Sequence, residues 1–123
     1  MTTFVTLEDA LDVISKLGFH VKEIGLLDSA LARPQTTLFG EDAYGTLALK
    51  AAAMCHSLVK NHALVDGNKR TTWTLMVVFL FINGFKHNFS TDEGMSFILD
   101  LATDAISLEE AAKLLRDHLV SLN

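Results

Sequence analysis

The chain has 123 residues, half of them apolar, and its 10 basic against 15 acidic side chains leave a net charge of −5. That length fits one domain, with enough apolar material for a core that needs no disulfide or metal. The acidic balance argues against DNA or RNA as the main partner, because binding a phosphate backbone takes a basic face; it does not bar a small basic pocket for a nucleotide.

The opening residues 1–9 carry neither the basic start nor the long apolar stretch of a secretory signal. Leu7, Ala10, Leu11, Ile14 and Leu17 recur at helical spacing, with Thr6 as N-cap and Gly18 as stop. A second, shorter helix is expected over 26–32. It ends at Arg33-Pro34, since proline disfavours helix in the residue before it. Residues 35–44 mix Thr36, Thr37, Leu38 and Phe39 with Gly40-Glu41-Asp42 and read as a loop or small hairpin. This segment has two readings, a flap that registers a target peptide or an ordinary surface loop.

An alanine-rich helix is predicted over 46–60, with Leu47, Met54 and Leu58 for the core. It contains the single cysteine, Cys55. A lone cysteine closes no internal disulfide, which fits a cytosolic protein, and this one reads as buried apolar filler. After a break at 62–67, residues 68–82 form the most apolar helix. Trp73 and the run Leu75 to Ile82 cover nearly its whole circumference, so it is expected to be the buried central helix. The run is far short of the ~20 residues that cross a bilayer, so no membrane segment is expected. Asn83-Gly84 stops it. Met95, Ile98, Leu99 and Ala102 mark a further helix behind Thr91-Asp92. A last helix opens at Ser107 with Glu110 at capping-box spacing and runs to about Leu119. No alternation long enough for a large sheet appears, so the expected fold is an all-α, compact single-domain bundle.

The chemistry concentrates in His62-Ala63-Leu64-Val65-Asp66-Gly67-Asn68-Lys69-Arg70. Lys69 and Arg70 stand in the first turn of a helix, whose partial positive charge opposes cations. An anion held against them resolves the conflict: free N–H groups, a glycine and two cations make a phosphate site. Asp66 is a hard oxygen ligand suited to magnesium. His62 carries a side-chain type suited to a general base. Phosphoryl transfer asks for little beyond such positioning and charge neutralisation. The plain alternative is a polar inter-helix turn, with Asp66-Gly67-Asn68 as an N-cap and His62 as a surface histidine. A P-loop does not fit, because neither its upstream glycine nor its preceding strand is present. Lys60 is either another pocket cation or a solvated helix-end lysine. Arg33 either reaches a phosphate or caps its own helix.

The segment resembles the Fic/Doc motif, His-x-Phe-x-Asp/Glu-Gly/Ala-Asn-Gly/Lys-Arg, in His62, Asp66, Gly67, Asn68, Lys69 and Arg70. The lysine form resembles the Doc, or death-on-curing, branch. Gly25 to Gln35 (GLLDSALARPQ) is similar to the Doc stretch before the flap, and Asn83-Gly84-Phe85 to the usual end of the central helix. The resemblance implies a Fic/Doc-like helical domain over 1–123 and a toxin of a toxin–antitoxin pair. Such a toxin uses ATP and magnesium to phosphorylate a threonine of elongation factor Tu, arresting translation. It further implies His62 as general base, Asp66 on magnesium, Asn68 and the Gly67 to Arg70 backbone around an anion hole, and Lys69 and Arg70 on the ATP phosphates. An antitoxin tail would fold as a helix into an apolar groove, with exposed members of Phe4, Phe19, Phe39 and Tyr44 as contacts. Three departures stand out. Leu64 replaces the motif phenylalanine as a core anchor, Ala63 replaces a common proline, and Trp73 stands where Fic AMP transferases carry a second arginine. The alternatives are therefore a Fic-type AMP transferase, which Lys69 and Trp73 count against, and a non-catalytic antitoxin-binding module, which the intact His62 and Asp66 count against.

Overall fold

The computed structural model describes residues 1–123. Helix α1 (Leu7–Leu17) starts at Thr6, whose hydroxyl accepts the Asp9 amide at 3.1 Å, and stops at Gly18 with φ 83°. Helix α2 (Ile24–Ala32) begins two residues before the apolar spacing indicates. The α-helix ends at Ala32, before Arg33-Pro34, as expected. Arg33 keeps φ −53° and ψ −46°, and the backbone tightens into a 3-10 turn over Arg33–Gln35 with Pro34 buried. Proline fits there because a first helical turn asks nothing of its missing N–H.

The expected hairpin forms from β1 (Thr37–Leu38) and β2 (Glu41–Asp42), with Thr37 opposite Asp42. Helix α3 (Leu47–Asn61) follows Thr46, which caps it, and α4 (Asn68–Ile82) keeps the boundaries the sequence indicates. The central position, however, belongs to α3. It packs against α2, the 3-10 turn and α4, and also against α5 (Thr91–Ala102) and α6 (Leu108–Asp117). Ala48, Ala51, Ala52, Ala53 and Cys55 are all buried, and side chains this small let neighbouring helices close in from several sides. Helix α4 buries one face through Leu75, Met76, Phe79 and Leu80, but leaves Phe81 64% exposed. Overall hydrophobicity overstated its burial.

Two more expectations are corrected. The core face of α5 is Gly94, Phe97, Ile98 and Leu101, while Met95 and Leu99 are 67% and 52% exposed. Its N-cap is Ser90, whose capping box with Glu93 mirrors the expected one of Ser107 with Glu110. The last helix ends at Asp117, and β4 (Leu119–Ser121) turns back to pair antiparallel with β3 (Phe85–His87), Lys86 opposite Val120. The domain remains a helical bundle with two small two-stranded sheets. No helix is long and apolar enough to cross a membrane.

Candidate active site

The 62–67 loop is braced from beneath by a stretch far away in sequence. Val21 and Leu64 form an isolated antiparallel bridge. The Lys22 and Glu23 amides donate to the Ala63 carbonyl at 2.8 and 3.0 Å, and the Val65 amide to the His20 carbonyl at 3.0 Å. Ala63 and Leu64 are buried, which fits Leu64 as the core anchor of the loop. Gly67 has φ 77°, and a Cβ there would overlap the Phe19 ring. The contiguous motif gave no sign of this 19–23 brace, because it depends on backbone contacts across some forty positions of chain.

The anchoring pushes the polar groups outward. His62, Val65, Asp66, Lys69 and Arg70 are exposed. His62 takes the left-handed conformation at the end of α3, φ 48° and ψ 51°, a position glycine fills without the cost a side chain incurs. One Asp66 carboxylate oxygen accepts the Gly67 amide at 2.8 Å, leaving the other unengaged. Asn68 differs from the expected arrangement. Its side chain turns back onto Leu64, accepting that residue's amide and donating to its carbonyl, both at 3.1 Å. It therefore braces the loop, with one of its two side-chain N–H groups unengaged.

Helix α4 starts without a side-chain cap. The Gly67 amide is taken by Asp66, and the first backbone bond toward the helix is from Thr71 to the Gly67 carbonyl at 2.9 Å. The amides of Asn68, Lys69 and Arg70 thus point out of the helix with no acceptor, beside two exposed cations. Lys69 and Arg70 also edge a groove of about 1050 Å³ between α4 and α5, whose walls include Trp73, His87, Met95 and Leu99. His62 and Asp66 lie outside that groove. Trp73 fills its position with an indole set edge-on to His87, ring centroids 4.8 Å apart, and closely packed on Gly94.

For magnesium, no three His, Cys, Asp or Glu side chains gather into a protein cage. Asp66 keeps one carboxylate oxygen free, as a single-carboxylate magnesium ligand would need. Two other cations follow the second of the readings the sequence leaves open: Lys60 lies in the last turn of α3, and Arg33 is the C-cap residue of α2, its amide donating to the Ser29 carbonyl. The Lys60 side chain donates to Asp104 at 2.6 Å and to the Ala102 carbonyl at 3.4 Å, and that of Arg33 is bonded to Tyr44, His56 and Ser57. Of the aromatic residues singled out from the sequence, Phe39 is fully exposed on the hairpin tip. Phe4 stacks on Phe79 at 6.0 Å, Phe19 supports Gly67 and Tyr44 holds Arg33.

Comparison with known proteins gives two matches. The model of the Fic/DOC family matches residues 4–80. A protein called Toxin Doc, from Mycolicibacterium smegmatis, is 44% identical over 118 residues, covering 91% of this chain and 90% of that protein.

Proposed function

The chain belongs to the Fic/DOC family, and from that footing we propose that it is a Doc-type toxin of a toxin–antitoxin pair. In this reading it is a phosphotransferase that moves the terminal phosphate of ATP to a hydroxyl of a translation factor, elongation factor Tu, and so arrests translation. One observation carries the reading: α4 begins with three unpartnered amides beside two exposed cations. Unsatisfied donors at a helix end make an anion site, and cations beside them add to its field. The groove along Lys69, Arg70 and Trp73 has room for a nucleotide. The left-handed His62 adds support, since strain at an exposed histidine goes with use of its side chain.

In the proposed reaction a ring nitrogen of His62 takes the proton of the target hydroxyl, raising the nucleophilicity of its oxygen. The amides of Asn68, Lys69 and Arg70 hold the oxygens on which charge builds, at no reorganisation cost because the brace has already fixed them. Lys69 and Arg70 bind and orient the phosphate chain. Asp66 would hold magnesium. When bound, ATP supplies the phosphoryl group and magnesium offsets its charge. The hairpin is proposed as the flap that registers the target, and the partner that silences the toxin is an antitoxin.

AMP transfer would call for a second clamp where Trp73 stands, and an indole offers no charge to a phosphate. The test is incubation of the protein with elongation factor Tu, magnesium and ATP labelled at the alpha or the gamma phosphate. Gamma label on the target, lost in His62→Ala and Asp66→Ala variants that stay folded, is the expected result. Alpha label would turn the reading to AMP transfer. No label, with His62→Ala as toxic in cells as the wild type, would leave a binding module.

A further inference from the structure

Arg33 lies under the base of the hairpin. Its Nε–H donates to the Tyr44 hydroxyl at 2.9 Å, and its Nη1 reaches Ser57 Oγ at 3.0 Å, the Ala53 carbonyl at 3.3 Å and His56 Nδ1 at 2.9 Å. Arginine has no acceptor, so His56 Nδ1 must present a lone pair to it. The other ring nitrogen, Nε2, lies 3.0 Å from Asp104 Oδ1. The Lys60 ammonium, and after it His56, holds the Asp104 carboxyl below the usual carboxylate range. An ionised carboxylate only accepts, so Nε2 carries the hydrogen. Both bonds together require the neutral ring. Asp104 also accepts Lys60 Nζ at 2.6 Å and takes φ 56°, a costly conformation for a residue with a side chain. A continuous chain of bonds therefore runs from the α5–α6 turn through α3 to the hairpin.

We propose that Arg33, held by neutral His56 against Asp104, is a positioning residue that fixes the 36–44 hairpin for docking of the target, and that proton uptake by His56 releases it. A proton on Nδ1 would set N–H against N–H and cation against cation at Arg33. The charged groups around the ring act in both directions: Arg33 from the 3-10 turn and Lys60 from α3 oppose the proton, while Asp104 favours it. Helices α2, α4 and α6 give the ring no hydrogen bond or ion pair. The hairpin keeps other ties: the Thr36 amide and hydroxyl donate to the Arg33 carbonyl at 3.0 and 2.7 Å. The buried Lys50 donates to Asp42 at 3.1 Å and to the Tyr44 carbonyl. Release at His56 thus loosens the hairpin base without detaching it.

The docking role rests on the hairpin being the flap of the proposed reaction; the release itself does not. Hydrogen exchange tests the release. The probes are the Arg33 Nε–H and the Ala43 amide, which bonds the Thr36 carbonyl at 2.9 Å across the hairpin base. Protection, corrected for intrinsic exchange, is compared between about pH 7.5 and about pH 5, a range that spans histidine titration. Wild type should lose about three- to tenfold of it on acidification, the worth of one hydrogen bond. His56→Gln, whose amide accepts from Arg33 and donates to Asp104 without titrating, should stay protected at both pH values. His56→Ala should show the reduced protection of the acidified wild type at both pH values. Wild-type protection that ignores pH, or a His56→Gln variant that follows wild type, overturns the proposal. In the transfer assay His56→Ala should raise KM for the target and leave KM for ATP unchanged; equal changes in both overturn the positioning role. If wild type transfers nothing, the functional reading fails and the exchange result alone decides the release.

Discussion

On the proposed function, His62 sets stability against activity. Its left-handed backbone carries a cost that glycine avoids, and its exposed side chain gains little packing in return. His62→Gly should therefore raise stability by about 0.5–1 kcal/mol while abolishing target labelling. Denaturant melts beside the transfer assay check both halves, and a destabilised variant would show that the side chain holds the loop. The candidate site was legible in the sequence because His62, Asp66, Gly67, Asn68, Lys69 and Arg70 fall within nine residues and their chemistry is unusual for a helix start. The direction of the Asn68 side chain was not legible. An asparagine at a helix start serves equally as a cap, a ligand or a brace, and only the position of Leu64 decides. The same holds for Arg33 and Lys60, whose partners lie 11 to 44 residues away.

Elements bounded by local chemistry were the ones the sequence revealed. Thr6 with Gly18, Thr46, and Ser107 with Glu110 fix helix ends through contacts within a few residues. Strands β3 and β4 escaped, being three residues each and paired across more than thirty positions. The core face of α5 escaped because Gly94, which leaves no apolar mark, is what admits Trp73. A Cβ there would lie 2.7 Å from the indole. Gly94→Ala, which in a free helix gains up to about 1 kcal/mol, should here lower Tm and red-shift the emission of the single tryptophan. An unchanged spectrum with higher Tm would refute the contact. The capping boxes give a pH signature. The Ser90 amide and then its hydroxyl hold Glu93 below the usual carboxylate range, and Ser107 does the same for Glu110. A carboxyl that binds protons less readily when folded adds stability above its unfolded pKa and loses it as pH falls through the folded one. Tm should therefore drop on acidification below about pH 4.5, and Glu110→Gln should shrink that drop; an equal drop in the variant would remove Glu110 from the account.

At the scale of the whole molecule, the alanine-rich α3 sits where the neighbouring helices meet, and hydrophobicity alone pointed to α4 instead. Cys55 reports on this centre. Burial pushes its thiol up to about 12, so at mildly alkaline pH a thiol reagent reaches it only through opening of the core. Labelling should run at least about a thousandfold slower than in denaturant, as global opening requires. Fast labelling would mean that α3 opens locally. The two ends of the chain attach to adjacent residues: the Thr3 amide to the Asn83 side chain at 2.8 Å, and the Leu122 amide to the Gly84 carbonyl at 2.9 Å. Both attachments lie beyond the far end of a 15-residue helix, roughly 22 Å from the amides at its start. A short linker could therefore splice the termini into a circular permutant, and a purification handle or fluorophore on either end would ride clear of the chemistry.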